Sequence, residues 1–200
     1  MDRVFYIFRH GETDWNRERR CQGHTNTPLN ETGEKQALEL AKKLEKLPIE
    51  IIISSDLDRA FQTGRRVSEI KNIPIIVDSR LREMNYGEAE GLLYEEAVNL
   101  YGQELWQKLQ SFNRGNDEVG FPGGETRRAA RQRFHQVIIE SIENTTYQTI
   151  GLSTHGGALR NILHSFLPED HLMLSIPNCV VYKFEYNHES KIFSVDPNPF

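Results

Sequence analysis

Four short apolar runs, each followed by a segment of helical character, are the feature that most narrows the fold of this sequence. Val4–Phe8 is nearly all apolar, as expected of a strand that is buried on both faces. The other buried runs are Ile51–Ile53, Ile75–Val77 and Thr149–Ser153. Because strands that alternate with helices are joined by right-handed crossovers, this pattern predicts an α/β domain with a mostly parallel sheet and helices on both faces.

Helical segments connect these runs. Asn30 can cap a helix that runs to about Lys46, and Asp56 can cap a second helix, because both side chains can accept a backbone N–H at a helix start. The other predicted helices are Tyr94–Phe112, Thr126–Ile142 and Gly157–Phe166. Asn113–Gly124, which is rich in Gly, Asn and Asp, is predicted as a surface loop.

The strands near the end of the chain have a different pattern. Val180–Tyr186 alternates apolar and polar residues, as a half-exposed antiparallel edge strand does, and Ile192–Val195 can pair with it. Since an exposed edge can also pair with a second copy of the chain, a homodimer through this edge is one expectation. No repeat, linker or charge block divides the sequence, so residues 1–200 are predicted to form one domain.

Composition and charge exclude several classes of protein. With 38% hydrophobic and 26% charged residues, the chain is neither disordered nor of low complexity. A net charge of −5 argues against a nucleic-acid partner, and no apolar run approaches the roughly 18 residues that span a membrane. Two cysteines are too few for a disulfide framework and the first apolar run is too short for a signal peptide, so we expect a cytoplasmic protein.

Charged and polar residues follow each of the four runs. In a parallel sheet, ligands bind beyond the carboxyl ends of the strands, so we expect these residues to meet at one edge. They are Arg9-His10-Gly11-Glu12-Thr13 with Asn16 nearby, Ser54-Ser55-Asp56-Leu57-Asp58-Arg59-Ala60, Leu81-Arg82-Glu83-Met84-Asn85-Tyr86-Gly87, and Ser153-Thr154-His155-Gly156-Gly157.

This combination of residue types suits phosphoryl transfer. A phosphate monoester carries nearly two negative charges, which arginine guanidinium groups match with paired hydrogen bonds. A neutral imidazole can attack phosphorus and hold it covalently, while a second imidazole stabilises charge on the transferring oxygens. A carboxylic acid can protonate the leaving oxygen and later activate water. Because the cations can replace a metal ion, neither a metal nor another cofactor is predicted.

Together these motifs resemble the histidine phosphatase superfamily, the phosphoglycerate mutase-like group. The resemblance rests on five motifs in the expected order: Arg9–Thr13, Ser54–Thr63, Glu83 with Gly87 and Gly91, Gly123–Thr126, and Thr154–Gly157. It implies a three-layer α/β/α sandwich, with a mostly parallel sheet and an antiparallel edge strand.

The resemblance also implies roles for the matching residues. His10 would be the nucleophile, and Glu83 would be the general acid and base. The phosphoryl group would be bound by Arg9, Arg59 and His155. Further contacts to the phosphoryl group would come from Asn16 and the amide of Gly156. Gln22 and His24 lie on the loop that follows the nucleophile, where either could contact the leaving group or simply be a polar loop residue. Gln22 and Gly23 are predicted as substrate-binding residues.

We therefore predict a metal-independent phosphomonoester hydrolase that acts on a small molecule through phosphorylated His10. The Gln22-Gly23 and Thr27-Pro28-Leu29 region is similar to that of small broad-specificity and α-ribazole phosphatases. One alternative is a cofactor-dependent phosphoglycerate mutase. Such mutases tend to follow the acidic residue with an arginine that helps bind a substrate carboxylate, whereas Met84 follows Glu83 here. The other alternative is a non-catalytic phosphate-binding protein of the same fold.

Several residues have a second interpretation. Arg59 could pair with Asp56 or Glu69 near its own helix, and Glu88 or Glu90 could replace Glu83 as the acid. Two groups of arginines are most simply solvated faces, and either could instead attract acidic substrates to the mouth of the site: Arg17, Arg19 and Arg20, then Arg127, Arg128, Arg131 and Arg133. The remaining histidines have no metal-ligand spacing and are predicted as surface or core residues: His24, His135, His164, His171 and His188. The aromatic residues predicted to roof the pocket are Tyr94, Tyr101, Trp106, Phe112 and Phe121.

Overall fold

A computed structural model describes residues 1–111, 113–167, 175–196 and 198–199. Within these residues, six strands form one sheet. They are β1 (Arg3–Arg9), β2 (Ile51–Ser54), β3 (Ile75–Val77), β4 (Thr149–Thr154), β5 (Val181–Asn187) and β6 (Ile192–Val195).

The sheet has the strand order β3-β2-β4-β1-β5-β6. The four strands β3, β2, β4 and β1 are parallel, whereas β5 runs antiparallel to β1 and β6 antiparallel to β5. A mostly parallel sheet with an antiparallel edge strand is therefore confirmed. The predicted position of the edge is wrong, because β5 is paired on both sides and β6 is the edge. Val180–Tyr186 therefore offers no free edge through which two copies could pair, and the homodimer stays a prediction.

Helices cover both faces of the sheet. They are α1 (Asp14–Arg17), α2 (Glu31–Leu44), α3 (Asp58–Lys71), α4 (Tyr94–Tyr101), α5 (Gln103–Gln110), α6 (Arg127–Asn144) and α7 (Gly156–Leu163). No helix in the described part of the chain is long and apolar enough to cross a membrane.

Helix starts and stops follow local chemistry, with two departures from prediction. Asn30 caps α2 as expected, since its side chain accepts from the Gly33 N–H at 2.8 Å. Asp56 does not cap α3, because its carboxylate pairs with Arg82 instead. The helix predicted over Tyr94–Phe112 is broken at Gly102, whose φ of 91° is left-handed. Phe112 lies outside the described residues.

The core has two parts, one on each face of the sheet. Alternate residues of β1 serve the two faces, because successive side chains of a strand point in opposite directions. Phe5 and Ile7 pack with α6 and α7, whereas Tyr6 and Phe8 pack with α2 and α3. This arrangement is the predicted three-layer sandwich.

The register of the parallel strands positions the site. Arg9 lies opposite Thr154, and Ser54 lies opposite Ser153, so β1, β2 and β4 end at the same level. The residues that follow these strands therefore meet at one edge of the sheet.

Candidate active site

His10 is the first residue after β1 and lines a cavity of about 390 Å³ at this edge. Its backbone N–H donates to the Thr154 carbonyl at 3.0 Å, which extends the β1–β4 pairing by one residue. Its Nδ1 lies 2.6 Å from the Gly11 carbonyl oxygen. Because a carbonyl only accepts, the ring proton sits on Nδ1, and the Nε2 lone pair is left free.

The surroundings of His10 keep its ring neutral. The side chain is only 2% exposed, and the positively charged Arg59 and Arg9 lie nearby. Burial, and then the charges of Arg59 and Arg9, hold the pKa of His10 well below its usual value. An imidazole in this state can act as a nucleophile at neutral pH.

Arg59 is bound by backbone carbonyls rather than by an acid. It is 1% exposed and donates to the carbonyls of Thr25 (2.9 Å) and Gly23 (2.8 Å). The alternative pairing with Asp56 or Glu69 is wrong, since those carboxylates pair with Arg82 and Arg65. Burial lowers the pKa of Arg59 to about 10. Its charge remains available to an anion in the cavity.

Arg9 lies against the start of α7. It donates to the Ile176 carbonyl at 2.6 Å. A Cβ at Gly156 would come within 3.1 Å of Arg9 Nε, so the absence of a side chain at Gly156 lets the guanidinium lie close to the helix.

His155 packs against the nucleophile. The centroids of the His10 and His155 rings are 5.1 Å apart in an edge-on arrangement, and His155 is fully buried. His155 Nε2 lies 2.8 Å from Ser55 Oγ, which also accepts from the Leu57 N–H. The Ser55 hydroxyl can donate to Nε2, and in that tautomer the ring proton is on Nδ1. That Nδ1 has no hydrogen-bond partner among the described residues and can donate to a bound anion.

Glu83 is the glutamate that the structure places at the cavity. Its carboxylate accepts from the N–H groups of Gly157 (2.8 Å), Ala158 (2.7 Å) and Met84 (2.9 Å), the first two at the start of α7. The alternatives do not reach the cavity: Glu88 is exposed, and Glu90 accepts from loop N–H groups that include those of His24 and Thr25.

Tyr86 is a cavity residue that the sequence motifs did not single out for chemistry. A Cβ at Gly157 would lie 2.6 Å from both Glu83 Oε1 and the Tyr86 hydroxyl, so these two groups both lie close to the Gly157 backbone. Burial, and then the Glu83 carboxylate, raise the pKa of Tyr86 well above its usual value. The hydroxyl therefore stays protonated as a hydrogen-bond donor.

Arg133 holds the backbone around Glu83. Its guanidinium donates to the carbonyls of Arg80 (2.6 Å), Arg82 (2.8 Å) and Glu83 (2.7 Å). It also pairs with Glu125 at 2.5 Å, and His24 Nε2 lies 2.8 Å from the same Glu83 carbonyl. His24 thus supports the acid from behind the cavity wall.

The predicted solvated face at residues 127–133 is therefore wrong for three of its four arginines. Arg127 is 1% exposed, Arg131 pairs with Asp117, and Arg133 binds the carbonyls named above, whereas Arg128 remains exposed. A sequence signal for Arg127 existed, because it is spaced i, i+3, i+7 with the core residues Ala130 and Phe134. Arg20 also departs from its predicted solvated face, because it lines the cavity.

The predicted substrate contacts are only partly at the cavity. Asn16, Gln22 and Gly156 line it, whereas Gly23 contributes a carbonyl that holds Arg59. The oxygens of Asn16 and Gln22 accept from Thr13 N–H and from the Thr27 hydroxyl, respectively. Their amide NH₂ groups are therefore the parts that can donate to a ligand.

Aromatic residues cover the cavity as predicted. Tyr94, Trp106 and Phe121 line it, and Tyr101 packs on Phe121 behind the wall. His164, predicted as a surface or core residue, also lines the cavity. His171 lies outside the described residues.

The chain belongs to the histidine phosphatase superfamily (branch 1), whose family model matches residues 5–195. It is 32% identical over 192 residues to probable phosphoglycerate mutase GpmB of Salmonella choleraesuis, covering 94% of this chain and 87% of that protein. The family match confirms the resemblance and, at the level of the superfamily, the prediction of an enzyme of the phosphatase class.

Solved structures of similar proteins have the same fold. Bacillus stearothermophilus YhfR is 30% identical, with a TM-score of 0.82 over 96% of this chain and 94% of that chain. A mycobacterial glucosyl-3-phosphoglycerate phosphatase in complex with inorganic phosphate is 26% identical, with a TM-score of 0.82 over 97% of this chain and 95% of that chain.

Proposed function

We propose that this enzyme is a metal-independent phosphomonoester hydrolase that carries the phosphoryl group on Nε2 of His10. The observation that carries the proposal is the hydrogen bond from His10 Nδ1 to the Gly11 carbonyl, 2.6 Å long. It holds the proton away from the Nε2 lone pair in a ring that burial, Arg59 and Arg9 keep neutral.

In the first step, the phosphoryl group of the ester is bound by Arg9, Arg59 and the Gly156 amide. His10 Nε2 attacks phosphorus, and the bond from phosphorus to the leaving oxygen breaks. Protonated Glu83 gives its proton to that oxygen, which leaves as an alcohol. His155 Nδ1 donates to an equatorial oxygen and stabilises the charge that develops there.

In the second step, water replaces the alcohol in the cavity. The Glu83 carboxylate takes a proton from this water while the water oxygen attacks phosphorus. The bond between phosphorus and Nε2 breaks, which yields inorganic phosphate and restores the neutral His10 ring. Glu83 is then protonated for the next turnover.

A mutase is the second candidate, because a relative with 32% identity is named as a probable phosphoglycerate mutase. A hydrolase is favoured by the residue after Glu83, which is Met84 rather than an arginine. The two activities differ in the acceptor of the phosphoryl group, which is water in one and a phosphorylated acid in the other.

The test is phosphate release from a panel of phosphomonoesters, including p-nitrophenyl phosphate, with EDTA present. We expect turnover to persist with the chelator and to fall at least about 1,000-fold in His10→Ala, because the nucleophile is lost. His188→Ala, which changes an exposed histidine, is the matched control and should keep full activity.

Two results would contradict the proposal. One is activity in His10→Ala comparable to that of the wild type. The other is a wild-type enzyme that releases no phosphate but interconverts phosphoglycerates when primed with a bisphosphate, which would establish the mutase instead.

A further inference from the structure

A second group of basic side chains lines the same cavity and takes no part in the chemistry above. It consists of Arg127 at the start of α6 with Arg160 and His164 from α7 and the residue after it. We refer to these three residues as the second basic cluster. Its members come from other elements than His10, Arg9 and Arg59, which lie at the end of β1 and at the start of α3.

Arg127 is a buried cation without a carboxylate partner in the described part of the chain. It donates to the Lys108 carbonyl at 3.0 Å and to His164 Nδ1, both neutral acceptors. Asp117, an acid that acts on its charge, is paired with Arg131. Since an unpaired buried charge is costly, a fold that keeps Arg127 here leaves a site for an anion.

Arg160 adds a second positive charge at the same place. It lies one turn along α7 from Gly156, and its buried Nε has no hydrogen-bond partner among the residues that the structure describes. No acid of the described ranges lies within ion-pair distance of it either. Its charge acts on both Arg9 and Arg127, so it lies near the phosphoryl-binding arginines as well as the buried one.

We propose that the second basic cluster binds a second anionic group of the substrate, a carboxylate or a phosphate. This proposal rests on the proposed hydrolase and narrows its substrates to small phosphomonoesters with two anionic groups. One group is held by Arg9 and Arg59 for reaction at His10, and the other by Arg127 and Arg160. Guanidinium groups suit both kinds of anion, because their planar donors match two oxygens at once.

The size and lining of the cavity agree with such a ligand. A volume of about 390 Å³ admits a small molecule, and Tyr94, Trp106 and Phe121 cover it with aromatic surface. A second anionic group would then be held by residues of α6 and α7 rather than by the segment that follows Glu83 in the chain.

The test compares kcat/KM for three esters of similar size: glycerol 3-phosphate, 3-phosphoglycerate and 1,3-propanediol bisphosphate. The first has one anionic group, the second adds a carboxylate, and the third adds a phosphate. We expect the wild type to prefer at least one of the last two over glycerol 3-phosphate by about ten-fold or more, as a charged hydrogen bond provides. Which ester is preferred identifies the anion.

Arg160→Gln is the decisive variant, because Arg160 is only half-buried and its replacement is better tolerated than that of Arg127. It should remove most of the preference, lowering kcat/KM for the doubly anionic ester at least about ten-fold more than for glycerol 3-phosphate. Arg128→Gln, an exposed arginine of α6, is the control and should keep the preference.

Two results would overturn the proposal: a wild type without preference for either doubly anionic ester, or an Arg160→Gln variant that loses activity equally on all three. A wild type that fails to hydrolyse even p-nitrophenyl phosphate would refute the proposed hydrolase itself, and the subsite with it. The p-nitrophenyl phosphate measurement therefore separates the two failures.

Discussion

Replacing Arg133 with Met removes the guanidinium that fixes the backbone leading into Glu83. In the wild type, this group donates to three carbonyls, those of Arg80, Arg82 and Glu83, at 2.6 to 2.8 Å. The Glu83 carbonyl keeps His24 as a partner, and the Glu125 carboxylate keeps the Asn85 N–H. Two carbonyls, those of Arg80 and Arg82, lose their donor.

The expected cost follows from these two carbonyls. A buried acceptor left without a donor costs about 1–3 kcal/mol, so two cost about 2–6 kcal/mol. Because the site is only partly buried and water reaches some of it, we expect about 2–4 kcal/mol of lost unfolding free energy. The rate should fall as well, since the segment that carries Glu83 is no longer held.

Urea unfolding at pH 7, followed by circular dichroism, measures this loss. The transition midpoint should move to lower urea with an unchanged m-value, because the same surface is exposed on unfolding. Arg128→Met on the same helix is the matched control, since the Arg128 side chain is 54% exposed and its ion pair with Glu118 lies at the surface. An Arg133→Met variant as stable as the Arg128→Met variant would show that the hydrogen bonds from Arg133 to these carbonyls do not stabilise the fold.

Three further predictions concern the site itself. The pKa values of His10, His155 and His164 all lie below the unfolded value of about 6.5, chiefly because of burial. Below pH 6.5, the unfolded chain therefore binds protons that the folded chain does not. The unfolding free energy should fall between pH 6.5 and pH 5 by up to about 1.4 kcal/mol per pH unit for each ring. Urea titrations at pH 7, 6 and 5 check this, and a constant stability would contradict it. Gly157→Ala places a methyl group 2.6 Å from Glu83 Oε1 and the Tyr86 hydroxyl, so kcat should fall sharply while circular dichroism stays that of the wild type; wild-type kcat would show that the Glu83 position does not matter. Thr63→Val deprives the buried Gly11 N–H of its acceptor and should cost about 1–3 kcal/mol in the unfolding free energy, whereas Thr63→Ser keeps the hydroxyl and should cost less. Equal thermal stability of the two Thr63 variants would contradict this role.

The parts of the fold that depend on local pattern could be predicted from the sequence. Val4–Phe8 and Ile51–Ile53 are apolar runs that only a doubly covered strand accommodates, and β1 and β2 contain them. Because the carboxyl ends of parallel strands meet at one edge of a sheet, the prediction of a parallel sheet was enough to bring His10, Arg59 and His155 to the same edge.

The parts that depend on partners distant in the chain could not be predicted. Asp56 has a side chain suited to capping a helix, but its carboxylate accepts from the Arg82 guanidinium instead of from the N–H groups at the start of α3. Arg133 has the composition of a surface residue, and only the packing of α6 against residues 80–83 brings carbonyls within its reach. Local propensity carries no information on such contacts.

The inner side of α6 is the clearest example. A run of arginines indicates a solvated face, yet Arg127 is buried because Lys108 and His164 supply acceptors from two other elements. The helical spacing of Arg127 with the core residues Ala130 and Phe134 favours a buried position, whereas its charge favours an exposed one. The acceptors decided the outcome, because a guanidinium is buried only where its N–H groups are satisfied.

The central claim is that His10 carries the phosphoryl group, and Glu83→Gln offers the most direct measurement. With p-nitrophenyl phosphate the leaving group needs no proton, so the first step should proceed, while the second step slows because no carboxylate activates water. Mass spectrometry of the acid-free quenched protein should then find one phosphoryl group, located on His10, and none in the Glu83→Gln variant that also carries His10→Ala. Two results would contradict the account. One is a Glu83→Gln variant that turns over the substrate but has no phosphoryl group after quenching, and the other is a phosphoryl group on a residue other than His10.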